Sequence, residues 1–135
     1  MADIQTKQQK RAKYALEELT KNTNSVDKEL SKLLISLPNL ILSNGINQTF
    51  AFLLAKTKRD KDTNKIIESD KHYIAFILMK EWLIQEKFMT KENNLEFLKE
   101  FNDFSSKKYV DVQNECLKLV EWLKRYARAF ETETK

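Results

Sequence analysis

Glycine, proline, cysteine and histidine each occur once in this 135-residue chain. Each scarcity excludes something. Tight turns and hairpins draw on glycine and proline, so a fold of short strands joined by turns is hard to build here, whereas helices need neither residue. A glycine-rich loop that cradles a nucleotide phosphate needs several backbone amides in close approach, and Gly45 alone cannot supply them. Cys116 has no partner for an internal disulfide, and no N-terminal apolar run suggests a signal peptide or membrane span, so a reducing cytoplasm is the expected setting. His72 has no second His or Cys at ligand spacing, so neither a metal site nor a cofactor is expected.

What is present is a core and a charged coat. Hydrophobic residues make up 41% and charged residues 33%, enough for one buried core beneath a heavily charged surface. The length is typical of one domain, so residues 1–135 are read as a single all-α bundle of about six helices. Lys and Arg number 24 against 20 Asp and Glu, a formal charge of +4. This modest excess favours polyanionic partners.

The helices are expected near residues 4–20, 27–43, 46–56, 64–87, 91–101 and 106–131. The first carries Ala12, Ala15, Leu16 and Leu19 at helical spacing behind a basic start of Lys7, Lys10, Arg11 and Lys13. Cations there oppose the helix macrodipole, so an external anion is one reading and plain solvation the other. Lys21 to Ser25 reads as a loop, with Ser25 or Asp27 capping the next helix. In that helix Leu30, Leu33, Leu34 and Leu37 form the buried stripe, and Pro38 must kink or restart it. Gly45 then sits where a helix C-terminus needs a left-handed residue. A third helix is marked by Ile46, Phe50, Leu53 and Leu54 and ends in the polar, cation-rich run Lys56 to Asn64, read as an exposed loop.

The fourth helix is apolar on every side between Tyr73 and Ile84 except for Lys80 and Glu81, so it must be surrounded. It is shorter than the about 20 residues a membrane span needs and reads as the central core helix. Thr90 is the candidate cap of a short fifth helix carrying Leu95, Phe97, Leu98 and Phe101, and Ser105 or Ser106 caps the sixth. In this last helix Tyr109, Val112, Cys116, Leu119, Leu123, Tyr126 and Phe130 recur in steps of three and four, a continuous packing seam. Opposite the seam project Lys107, Lys118, Arg125 and Arg128, mixed with Asp111 and Glu121. Trp122 falls on the flank of that polar side and is expected to pack against another helix or face a partner.

Nothing in the chain assembles into catalytic chemistry. Cys116 lies on the apolar seam, where a thiol behaves as a small hydrophobe, and neighbouring carboxylates such as Glu17 and Glu18 point apart on a helix.

Three segments carry a resemblance. They are Arg11-Ala12-Lys13-Tyr14-Ala15; Leu37-Pro38-Asn39-Leu40-Ile41-Leu42-Ser43-Asn44-Gly45 followed by Ala51-Phe52-Leu53-Leu54-Ala55-Lys56; and Val120-Glu121-Trp122-Leu123-Lys124-Arg125-Tyr126-Ala127. Together they resemble the small helical subunit of the type III-B CRISPR RNA-silencing complex, the Cmr complex. The resemblance runs nearly end to end, anchored between these segments by Tyr73 and Trp82-Leu83. It implies a non-catalytic subunit that stacks in a short filament with its own copies, beside the backbone subunits and near guide RNA and target RNA, while other subunits cut.

Cations are then expected to meet phosphates without reading sequence. The candidates are Arg11 and Lys13, Lys56, Lys58 and Arg59, and Lys124, Arg125 and Arg128, of which Lys56, Lys124 and Arg125 lie in the family-like segments. Trp122 is the candidate partner contact. The alternative is a pure protein-protein spacer that touches no RNA.

Overall fold

A computed structural model describes residues 5–21 and 25–132. Six α-helices follow one another, α1 (Lys7–Thr20), α2 (Lys28–Asn44), α3 (Ile46–Lys56), α4 (Lys71–Gln85), α5 (Asn94–Glu100) and α6 (Ser106–Ala129), with a single 3-10 turn, Phe101–Asp103, before the last. No strand occurs among the described residues beyond two isolated bridges, so the fold is an all-α bundle. Ile4, expected to open the first helix, and residues 22–24 of the expected loop lie outside the described residues.

Short polar side chains start nearly every helix. Thr6 and Gln9 form a reciprocal capping box on α1. Asp27, rather than Ser25, accepts from the amides of Glu29 and Leu30, and Ser105 accepts from Lys108. These are the ordinary means of satisfying the free amides of a first turn. The fifth helix starts later than Thr90 would place it. Asn93 caps it, while the amide and hydroxyl of Thr90 are bound by the Glu100 carboxylate at 3.0 Å.

Pro38 neither ends nor restarts α2, which runs unbroken from Lys28 to Asn44 with the proline ring buried. The imide lacks the N–H that position 38 would give to the Leu34 carbonyl, but Leu34, Leu37 and Ile41 are fully buried on the same stripe, and packing outweighs the lost bond. Gly45 serves two helices at once. Its N–H closes α2 on the Ile41 carbonyl at 2.8 Å, and its carbonyl takes the Thr49 amide at 3.0 Å and the Thr49 hydroxyl at 2.8 Å to open α3. Its φ of 84° and ψ of 159° lie outside the left-handed helical region expected from sequence, in a region open almost only to glycine. A Cβ here would also stand 3.0 Å from the Tyr109 hydroxyl. Gly45→Ala is therefore expected to destabilise the protein by about 1–3 kcal/mol, read as a fall of several degrees in thermal midpoint.

The fourth helix begins at Lys71, not Asn64. Residues 58–67 instead fold back on themselves, the Asp60 amide donating to the Lys65 carbonyl at 2.8 Å and the Ile67 amide to the Lys58 carbonyl at 2.9 Å. Asp60 accepts from the amides of Asp62 and Thr63, and Asn64 takes a φ of 60°. Asp and Asn are the residues that support such a turn, and Asp70 caps α4 through the His72 amide. At its other end α4 closes with Lys87 at φ 65°. The amides of Lys87 and Phe88 bond to Ile84 and Leu83, a Schellman closure with lysine in the glycine position.

α4 is the central helix. Ala75, Phe76, Leu78, Met79, Trp82 and Leu83 are buried on different sides of it, and it meets α1, α2, α3 and α6. Lys80 is buried as well. It donates to the Glu92 carbonyl and, at 2.9 Å, to Asn94 Oδ1, tying the approach to α5 onto the core. Phe50 meets Phe76 and Phe97, and Phe97 meets Phe101, edge to face with centroids 4.9–5.6 Å apart, a favoured aromatic geometry.

α6 buries Val112, Cys116, Leu119 and Leu123, as its spacing requires, together with Glu115, Val120 and Ala127. Phe130, expected to extend the seam, lies past the end of α6 and is 39% exposed. Its backbone contributes instead. The Val26 amide donates to the Phe130 carbonyl and the Thr132 amide to Val26. At the far end the Ile46 amide donates to Gln113 Oε1 at 2.9 Å, so α2 and α6 run antiparallel, joined at both ends.

Candidate nucleic-acid interface

The eight cations expected to meet phosphates do not form one group. Arg11 is only 5% exposed, and its guanidinium grips Glu115 with Nε at 2.7 Å from Oε2 and Nη2 at 2.8 Å from Oε1. Trp82 Nε1 donates to the same carboxylate at 2.9 Å. Burial raises the proton affinity of Glu115, but the hydrogen bonds from Arg11 and Trp82 outweigh it and hold the carboxyl below its usual range. This is a structural ion pair joining α1, α4 and α6. It corrects the expectation for Arg11, since no guanidinium edge so engaged and so buried is open to a phosphate.

Glu115 escaped the sequence reading although a signal existed. It stands three residues after Val112 and four before Leu119, on the apolar side of α6, where an unpaired carboxylate would be costly.

The network reaches the surface through Gln8. Its side-chain oxygen accepts from Arg11 Nη1 at 2.9 Å and from Trp122 Nε1 at 3.3 Å. Trp122 is half-buried and stacked on Tyr126, centroids 5.6 Å apart and planes 28° apart. It thus packs against α1 on one edge, the first of the two outcomes expected for it, while staying partly accessible.

Lys13 is exposed on α1, but the hollow it borders also contains Glu17, Glu18 and Glu86, so the local charge is not basic. Lys56 is exposed on the last turn of α3, and Lys58 and Arg59 are exposed on the 58–67 fold-back. Arg125 and Arg128 are exposed on α6, with Lys124 half-buried between seam and surface.

Two of these groups approach one end of the bundle. Lys58 shares a hollow with Asp27, Glu29, Asp70 and Lys71 beside the start of α2, where the local charge is no more basic than around Lys13, and the residues just after Arg128 pair with Val26, immediately before α2. Among the described residues, none of Lys56, Lys58, Arg59, Lys124, Arg125 and Arg128 makes an ion pair, unlike Arg11.

Among the described residues, no group of three or more His, Cys, Asp and Glu gathers to hold a metal ion. Burial pushes the Cys116 thiol far up, away from the reactive thiolate. His72 sits at the start of α4 with Nδ1 3.3 Å from Asp70 and its ring edge-on to Phe52, a half-buried histidine whose Nδ1 is shielded from solvent. No described helix is long and apolar enough to cross a membrane.

Comparison with known protein families agrees with this architecture. The sequence profile of the CRISPR-associated protein family Cas_Cmr5 matches residues 7–130, from the first residue of α1 to the residue after α6. The chain belongs to the Cas_Cmr5 family, the small subunits of type III-B CRISPR complexes.

Proposed function

We propose that the chain is a non-catalytic subunit of the RNA-guided effector, stacking with its own copies and with neighbouring subunits, and helping to hold guide and target RNA without reading their sequence. The observation that supports this reading is the set of exposed cations without ion-pair partners on the 58–67 fold-back and the second half of α6, both beside the start of α2. Half of the six unpaired cations named above are lysines, point charges suited to a backbone rather than to bidentate reading of bases. Pairing between guide and target would supply sequence specificity, leaving the protein to hold the strand.

The triple charge reversal Lys56→Glu, Lys124→Glu and Arg125→Glu tests it in the assembled complex. Retention of target RNA is expected to weaken and to depend less steeply on salt, the slope falling by about 0.7 for each single-strand phosphate no longer neutralised. A salt slope equal to that of the wild type would remove these residues from any RNA role.

A pure protein-protein spacer is the second reading. It is favoured by Leu42, Leu95 and Val110, which are 68%, 60% and 51% exposed and offer apolar surface to neighbours. Head-to-tail interfaces that do not close would build a filament from such surfaces. Crosslinking of a photoreactive target within the complex separates the two, because a spacer yields no adduct on this subunit.

A further inference from the structure

Trp122 and the two cations beside it form an arrangement that phosphate binding alone does not use. On α6, Lys118 lies four residues before Trp122 and Arg125 three after it, so all three share one face. With Gln8 and Glu121 they line a shallow hollow of about 440 Å³ against the indole. Tyr126 stacks on the indole and Gln8 takes its N–H, so the ring is held in place before any ligand arrives. The floor below is equally fixed, because Gln8 is anchored by Arg11 and Arg11 by Glu115.

Two kinds of occupant suit an accessible tryptophan. The centre of a protein-protein interface is depleted of lysine and glutamate though not of arginine, yet here Lys118 and Glu121 border the hollow beside the ring, and none of the exposed large apolar residues, from Leu42 to Phe130, lies between 118 and 125. Single-strand binding sites combine these same ingredients, cations that follow the backbone and an aromatic on which a base stacks. Glu121 would repel a phosphate seated in the hollow, but its carboxylate can accept from the exocyclic amine of a base.

We propose that Trp122 is a stacking platform for an unpaired base of single-stranded RNA, with Lys118 and Arg125 holding the phosphates on either side. This rests on the RNA-binding reading above and names the chemical group that one part of the surface takes. It also gives the partner expected at Trp122 a specific chemistry.

The test uses the assembled complex, with the subunit carrying Trp122→Leu or Trp122→Phe, and measures affinity for a target oligoribonucleotide and for versions bearing one abasic unit at successive positions. Trp122→Leu is expected to weaken binding of the intact target about tenfold, within the range for loss of one stacked base, and Trp122→Phe to recover most of that. At the stacked position, an abasic unit should cost the wild type the same factor and the Trp122→Leu complex almost nothing further.

Equal affinity of Trp122→Leu and wild type, while charge reversal at Lys124 and Arg125 still weakens binding, would overturn the stacking assignment and leave the RNA reading intact. Insensitivity to both changes would overturn both. Loss of the subunit from the purified complex on Trp122→Leu, with RNA affinity per incorporated subunit unchanged, would place Trp122 in a protein interface instead. Should Trp122→Leu fail to fold, the abasic scan on wild type and Trp122→Phe decides. No position at which the abasic loss is smaller in Trp122→Phe than in the wild type overturns the assignment.

Discussion

Glu115→Ala is expected to lower the unfolding free energy by about 3–5 kcal/mol, the usual cost of stripping one partner from a buried ion pair, and to lower the melting temperature by about 10–20 °C. The reason is what remains rather than what is removed. Arg11, 5% exposed, would keep its charge without an anion, and Trp82 Nε1 would lose its acceptor. Arg11→Ala should be similarly costly because it strands the carboxylate. The double variant should lose clearly less than the sum of the two, since neither charge is then left alone. Additive losses by chemical denaturation would show that the pair is not a coupled unit.

The same pair gives stability a pH dependence with a defined sign. The folded-state carboxyl of Glu115 is held below its ordinary value of 4.5, so the unfolded chain takes up that proton first as pH falls. The contribution is fully present above the unfolded value and is lost as pH falls through the folded one. Glu115→Gln keeps an acceptor for Trp82 and removes the titration. Its stability should therefore fall less steeply than that of the wild type below about pH 4.5.

Phe50→Ala is expected to cost about 3–5 kcal/mol through lost burial and the cavity left behind. Phe50 is fully buried and touches rings from three segments, with centroids 5.4 Å from Phe76, 4.9 Å from Phe97 and 5.7 Å from Phe101. No single element can shift to refill the space. Phe52 is the internal control, two residues along the same helix but 39% exposed. Phe52→Ala should cost well under half as much by the same denaturant titration.

Helix content, number and order were legible because they follow from local rules. With one glycine and one proline the chain has few ways to turn, and apolar positions recurring every three or four residues leave only helices with buried stripes. The boundaries that failed were those set by competition at an end. Asn64 to Ser69 could have joined α4, but Asp60 and Asp70 offered the backbone a turn and a cap instead. Pro38, expected to kink or restart the second helix, lies inside an unbroken α2 because its neighbours Leu37 and Ile41 gain more from burial than one helical bond is worth. Phe130 continues the seam in spacing only, since α6 has ended before it.

The candidate interface was legible as residue types and not as places. Arg11 and Arg125 are the same side chain on helices of mixed character, and nothing local says that one faces a carboxylate across 104 positions while the other faces solvent. Periodicity along α6 determined by itself that Lys118, Trp122 and Arg125 share a side, because 100° per residue is a property of the backbone. Only the tertiary structure decided that Gln8 pins the indole, that Arg11 is withdrawn from the surface, and that the 58–67 fold-back and the end of α6 each lie beside the start of α2. Those outcomes depend on which buried groups can satisfy one another across the chain; spacing can mark a carboxylate such as Glu115 as lying on a buried face, but not name the partner 104 positions away that neutralises it.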